Sequence, residues 1–213
     1  DLSAEEAELL LDYLKAGGKL LLITDYTDTS MPNLMEVMAY YGVSLVDGIV
    51  LEGDSSHYLW GSVYDLLPDI SSHTITSPLI DGGYYALLPV AQGIQVDEEL
   101  RDGLTVTSLL TTSDSAYSKV AGYDLTTYDK EAGDIDGPFT LGVAISEETE
   151  DGGETGIVWL TPSLMFDASY DQMVSGGNSD LFLNALGWMC EREETVSIRA
   201  KSLSTEYLTV PAS

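Results

Sequence analysis

Leu20-Leu21-Leu22-Ile23-Thr24 is apolar from Leu20 to Ile23 and follows directly on Gly17-Gly18-Lys19. A strand with one wet face alternates apolar and polar residues. This run has no polar face, so it reads as a central parallel strand covered on both sides. The residues before it spell a helix. Ser3 and Glu6 form a capping box, in which the hydroxyl accepts the Glu6 backbone N–H and the carboxylate reaches back. Ala7, Leu10, Leu11 and Leu14 recur at helical spacing on one face, and Gly17-Gly18 offers the left-handed residue that ends a helix at least cost. Beyond the strand, a polar loop from Tyr26 to Thr29 leads to a second helix that starts at Ser30, with Pro32 tolerated in its first turn. Leu34, Val37, Met38 and Tyr41 form its apolar stripe, and Gly42 closes it. Val43 to Leu51 reads as the next strand, with Asp47-Gly48 a turn or bulge inside it. Strand, helix and strand in this order predict a right-handed βαβ unit.

Residues 52–133 carry a weaker pattern and read as an irregular insertion. Its strand-like runs are Tyr84 to Val90, Ile94 to Val96 and Leu104 to Leu110, with one short helix near Leu59 to Leu67. Phe139 to Ile145 and Gly156 to Leu160 read as two strands joined by an acidic loop, Glu147 to Glu154. Asn178 or Ser179 caps a last helix, with Leu181, Phe182, Ala185, Leu186 and Met189 on its inner face. Val196 to Arg199 adds a short strand, and residues 202–213 show no period. The expectation is one α/β domain over residues 1–213. Its sheet is mainly parallel and flanked by helices, with residues 52–133 as a β-containing insertion.

Composition narrows the function. At 213 residues and 44% apolar content the chain can bury a sizeable core. Eight Lys and Arg against 36 Asp and Glu give a formal charge of −28, a field that repels phosphate backbones and anionic membrane surfaces. Nucleic acid is therefore excluded as the expected partner. The single cysteine, Cys190, forbids an intrachain disulfide. No apolar run reaches the roughly 20 residues that span a bilayer.

Residues capable of chemistry are present, but not in a catalytic pattern. A nucleophile elbow needs Gly-x-Ser-x-Gly; Ser163, the nearest positional equivalent, sits in Thr161-Pro162-Ser163 with no glycine beside it. Cys190 lies late in the last helix, next to Glu191, and reads as a small packed hydrophobe. His57 and His73 stand 16 positions apart in polar sequence, unlike a zinc pair. Asp134-Ile135-Asp136-Gly137 and Glu147-Glu148-Thr149-Glu150-Asp151 are acidic, yet neither keeps calcium-loop spacing. Gly152-Gly153 and Gly176-Gly177-Asn178 lack the basic neighbour that a phosphate cradle needs. No catalytic, cofactor-binding or metal-ligating residue is assigned.

Two stretches resemble an uncharacterised ABC-type transport accessory family related to gliding-motility transporter components. Asp1-Leu2-Ser3 through Gly17-Gly18-Lys19-Leu20-Leu21 is similar to that family's first helix and strand. Gly177-Asn178-Ser179-Asp180-Leu181-Phe182-Leu183-Asn184-Ala185-Leu186-Gly187-Trp188, followed by Val196-Ser197-Ile198-Arg199, is similar to its last helix and tail. His73-Thr74-Ile75-Thr76 and Leu109 to Ser115 also match. The resemblance implies a flavodoxin-like domain akin to class I glutamine amidotransferases, without their catalytic cysteine. It implies a non-catalytic role outside the cytoplasm, beside an ABC permease, with residues 202–213 a linker toward a membrane span. It also implies strands ahead of Asp1, so that the sheet is incomplete and its edge is open to pairing with a second copy. A different reading is a surface domain that binds carbohydrate or another small ligand through Tyr58, Trp60, Tyr84 and Tyr85.

Overall fold

The computed structural model describes residues 1–150 and 152–190. Its helices are α1 (Ala4–Lys15), α2 (Pro32–Tyr40), α3 (Ser77–Gly82), α4 (Ala168–Met173) and α5 (Gly177–Met189). Its strands are β1 (Lys19–Ile23), β2 (Val43–Leu45), β3 (Ile49–Leu51), β4 (Tyr58–Leu59), β5 (Ser62–Leu66), β6 (Asp69–Ile70) and β7 (Leu88–Pro89). They continue with β8 (Ile94–Val96), β9 (Leu104–Thr111), β10 (Tyr117–Lys119), β11 (Ile135–Asp136), β12 (Thr140–Glu148) and β13 (Glu154–Leu160).

The main sheet has seven strands in the path β1-β13-β12-β8-β2, with β9 also on β12 and β6 on β9. Only the β1–β13 pair is parallel; every other pair is antiparallel. The mainly parallel, flavodoxin-like sheet expected from the sequence is therefore overturned. So is the βαβ unit: β2 joins β8 at the far end of the sheet and runs antiparallel to β1. An apolar run reports burial on both faces, and an antiparallel strand between two layers is buried in the same way. The acidic hairpin between β12 and β13 does form, with register from Gly142↔Leu160 to Glu148↔Glu154, so its strands run on into Glu147, Glu148 and Glu154, which were expected in the loop.

Two apolar layers clasp this sheet. Ile157 and Trp159 of β13 and Val143 and Ile145 of β12 face α1 and α2, where Leu14, Val37, Met38 and Tyr41 are buried. Val158, Leu160, Leu141 and Ala144 face the opposite layer, with Leu181 and Ala185 of α5 and Ile75 and Leu79 around α3. Leu141 and Val143 belong to opposite layers although they are two residues apart, because the β12–β9 register shifts at Gly142.

Helix ends show local rules holding where they were legible. Ser3 and Glu6 make both hydrogen bonds of the capping box, and Gly17 ends α1 at φ +88°. Thr155 donates its hydroxyl to the Leu14 carbonyl at 2.6 Å, satisfying one of α1's last acceptors. The start of α2 has no side-chain cap of its own. The Asp1 carboxylate, 32 and 33 positions away, accepts the Asn33 and Leu34 N–H groups instead. Asn178 is not a helix cap, and the residue before α5 is Gly176. Fully buried, Asn178 accepts the Leu87 N–H and donates to the Leu87 and Met165 carbonyls.

Three further expectations change. Val43 to Leu51 divides at Gly48 (φ +95°) into β2 and β3, which enter different sheets. A Cβ on Gly48 would lie 2.3 Å from the Lys119 carbonyl oxygen, so no other residue fits. Leu59 to Leu67 is not a helix but the β4–β5 hairpin. Residues 52–133 contribute β6, β8 and β9 to the main sheet. Among the described residues β1 pairs on one side only, with β13, and is half-buried rather than central. Tyr13 occupies the first pair of outward backbone groups on that edge: its hydroxyl accepts the Lys19 N–H and donates to the Lys19 carbonyl. The expected strand Val196 to Arg199 and the linker 202–213 lie outside the described residues. Among the described residues no helix is long and apolar enough to cross a membrane.

Trp159 is the largest fully buried side chain, and its indole N–H donates to Thr24 Oγ1 at 2.8 Å. Trp159→Ala should lower unfolding free energy by about 3–5 kcal/mol, from lost burial and a residual cavity. Urea titration measures it; a loss below about 1 kcal/mol would show that this layer is not packed as described.

Candidate functional site

Ser163 lies just past β13, beside the end of β1. Its hydroxyl donates to Asp25 Oδ2 at 2.7 Å and its N–H to Asp25 Oδ1 at 2.8 Å. Asp25 therefore caps the 3-10 turn Ser163–Phe166, and the Ser163 proton is directed to a carboxylate rather than an imidazole. Cys190 corrects the expectation of a packed side chain: it is exposed, at the C-terminal end of α5. His73 sits in the turn before α3, where its carbonyl accepts the Thr76 and Ser77 N–H groups. Its Nδ1 accepts the Ile75 N–H, its ring meets Trp188 edge-on at 5.5 Å, and burial pushes its pKa down.

The structure brings together one set that the sequence did not flag. Ser56 Oγ lies 3.0 Å from His57 Nδ1, and His57 Nε2 lies 3.4 Å from Asp69 Oδ1. This has the residue types of a catalytic triad but not its proton path. Ser56 gives its only proton to Asp54 Oδ1 at 2.8 Å, and Asp54 Oδ2 sits 3.4 Å from the same Nδ1. The hydroxyl proton therefore runs to the Asp54 carboxylate and not to the ring, whereas a general base has to take that proton itself. The local signal was Asp54-Ser55-Ser56, an Asx turn in which Asp54 accepts the Ser56 N–H.

Glu147, Asp134 and Asp136 of the acidic segments pair with cations elsewhere in the chain. Glu147 takes two guanidinium bonds of Arg101 at 2.7 and 2.6 Å, a third goes to the Tyr40 carbonyl, and Arg101 lies over the Tyr40 ring. Lys130 pairs with Asp136. Lys119, whose side chain is fully enclosed, donates to the Asp129 carbonyl at 2.9 Å, to Glu131 at 2.6 Å, and faces Asp134 at 2.9 Å. This cation holds the loop between β10 and β11 against the body. Among the described residues no group of three or more His, Cys, Asp or Glu is placed to hold a metal ion.

The aromatic set divides. Tyr84 packs against the core and Tyr58 is half-buried in β4, so four open rings do not form one platform. Trp60 is different. With Gly61 it forms the two-residue tip of the β4–β5 hairpin, at φ +52° and +78°. Two positive φ values define the turn that Asn-Gly normally fills. A tryptophan in the left-handed region costs about 1–2 kcal/mol, and 81% of its surface is exposed. Tyr85 is 64% exposed, and Leu183 and Leu186 leave the outer face of α5 apolar.

The fold is thus a mixed α/β domain with a mostly antiparallel sheet, and its displayed features are apolar surface groups. No protein-family model matches the chain, and no curated protein matches it. Among solved structures it is similar to the mmIFT52 N-terminal domain, with a TM-score of 0.60 and 16% identity. The match covers 88% of this chain and 72% of that one. At that identity the likeness concerns the fold alone. It corrects the flavodoxin-like and glutamine amidotransferase-like description and brings nothing to the transporter description.

The Lys119 cluster makes a pH prediction. Burial opposes the charge of Asp134, but N–H bonds from Glu131 and Val120 and the Lys119 ammonium outweigh it and hold its pKa below the ordinary 3.8. A depressed carboxylate gives stability that is complete above its unfolded pKa and lost as pH falls through its folded one. Lys119→Met should therefore be strongly destabilised at pH 7, and the gap to the parent should narrow as pH drops below about 4. Chemical denaturation at several pH values reads this; a gap independent of pH contradicts the assignment.

Proposed function

We propose that this domain is a non-catalytic protein-interaction module whose contact point is the Trp60 hairpin. The observation that carries the reading is a large aromatic side chain presented to solvent from a backbone conformation that disfavours it. Trp60 buries little of its surface there, and strained, displayed residues of this kind concentrate at functional positions. Tryptophan is also the residue most enriched among side chains that anchor protein interfaces. The apolar outer face of α5, with Leu183 54% exposed, supplies a second contact area. Absence of catalysis is part of the proposal. It is supported by the proton path at Ser56 and by the carboxylate on Ser163.

The setting of that interaction, a transport complex on the outer face of a membrane beside an ABC permease, is proposed on the residue resemblance of the first and last helices alone. Carbohydrate binding through the four aromatics is the weaker reading, since Tyr84 is turned into the core.

Trp60→Asn should separate fold from function. Asparagine before Gly61 suits the left-handed turn, so the variant should unfold at a free energy about 1 kcal/mol higher than the parent. A partner recovered by cross-linking with the parent should be lost with the variant. Undiminished recovery, or esterase, glutaminase or glycosidase turnover abolished by Ser163→Ala or Cys190→Ala, would overturn the reading.

A further inference from the structure

A cavity of about 320 Å³ opens where the loop between β10 and β11 meets the sheets. Its apolar floor comes from Ile49 and Leu51 of β3 and from Val90, and its walls are Tyr64, Tyr123 and Tyr128. Ile49 and Leu51 are almost wholly buried, whereas Tyr123 and Tyr128 are more than half exposed. The volume sits at the small end of ligand sites, which run from about 300 to 1,000 Å³. It suits a head group rather than an extended molecule.

The walls are held in place. The Tyr64 and Tyr128 ring centroids are 5.8 Å apart with planes inclined by 47°, so the rings open like a book instead of stacking. Tyr117 donates its hydroxyl to the Tyr128 carbonyl. Tyr123 donates to the Tyr26 carbonyl at 3.4 Å and meets the Tyr26 ring edge-on at 5.1 Å. Gly122 makes that approach feasible: a Cβ there would lie 1.9 Å from the Tyr26 hydroxyl. Lys119, buried beneath the loop, fixes its far side through Asp129, Glu131 and Asp134. Val90 sits on the floor at φ +58°, a conformation that a β-branched residue adopts only under constraint.

The electrostatics select one kind of occupant. Among the described residues no lysine or arginine lines the cavity, and the chain as a whole carries −28. Carboxylates also stand near the neighbouring phenols. Tyr26 is pushed up to about 12, by burial first and then by Asp28 and Asp124. Tyr117 is raised by burial first, with Asp129, Asp134 and Glu52 adding to the shift against the opposing charge of Lys119. Aromatic faces attract cations through their quadrupole, and a cleft with one sign of charge around it concentrates ions of the other sign. The floor offers carbon and no hydrogen-bonding side chain, so the cation that fits carries methyl groups in place of N–H donors.

We propose that Tyr64, Tyr123 and Tyr128 form an aromatic cage for the quaternary ammonium group of a small free solute, such as the trimethylammonium head of choline. This site is independent of the Trp60 contact, and either can fail without the other.

The test is a titration of the full chain by calorimetry and by NMR of the tyrosine rings. Choline should bind saturably, and tetramethylammonium should compete with it. The neutral isostere 3,3-dimethylbutan-1-ol, identical in shape but uncharged, should bind at least about tenfold more weakly, because the ring quadrupole acts only on charge. Tyr123→Ala and Tyr128→Ala, both at exposed positions, should each weaken choline binding by about tenfold. Tyr123→Phe, which keeps the ring face, should retain it. Equal binding of choline and its neutral isostere would overturn the proposal, as would no binding of choline by a folded parent. Capture of phosphatidylcholine vesicles without binding of free choline would also overturn it, in favour of a lipid surface.

Discussion

The ladder between β12 and β13 has apolar residues on both faces, and the rest of the molecule is arranged to cover them. Ile157 and Trp159 point one way, Val158 and Leu160 the other. Two long strands that must leave water on both sides need a layer on each face. α1 and α2 form one layer, and α5 with the segment around α3 forms the other. The ties that bind those layers are polar and buried. Trp159 reaches Thr24, Thr155 reaches the end of α1, and Asn178 bridges α5 to Leu87 and Met165. Each satisfies backbone or side-chain groups that would otherwise be stranded in an apolar layer. They fix how the layers sit as well as that they stick.

With that body rigid, the smaller elements can be irregular. Among the described residues, the β4–β5 hairpin and the loop between β10 and β11 carry the exposed aromatics Trp60, Tyr123 and Tyr128. The loop is held by one enclosed cation, and the hairpin stands on β7. Strain appears in the same district: among the described residues, Trp60 and Val90 are two of the three other than glycine with positive φ. Their distance in sequence from the long strands of the core lets them depart from regular geometry while the ladder supplies stability.

The chemistry-bearing residues are instead spent on structure. Asp25 and Asp54 cap turns, Arg101 fastens Tyr40 and Glu147, and Lys119 clamps a loop. A serine, a histidine and an aspartate fall together at Ser56, His57 and Asp69, yet the nearer carboxylate of Asp54 takes the hydroxyl proton. Proximity of the right residue types is not enough; the proton has to run in the right direction.

The sequence by itself determined what neighbouring residues decide between them. The capping box at Ser3 and Glu6, the stop at Gly17 and the β12–β13 hairpin were legible, because each depends on contacts within a few residues or on a short connection, whereas α2 was read from Ser30 and begins at Pro32. It also marked β1 as apolar on both faces. Only the tertiary structure decided the direction of the strands, since burial on two faces is common to parallel and antiparallel neighbours and the pairing residues lie far apart in the chain. The same holds for the cap that Asp1 places on α2, for the turn of Tyr84 into the core, and for the cavity. Its walls come from positions 64, 123 and 128 and its floor from 49, 51 and 90. No local pattern joins those positions; the closing of the sheets around the β12–β13 ladder does.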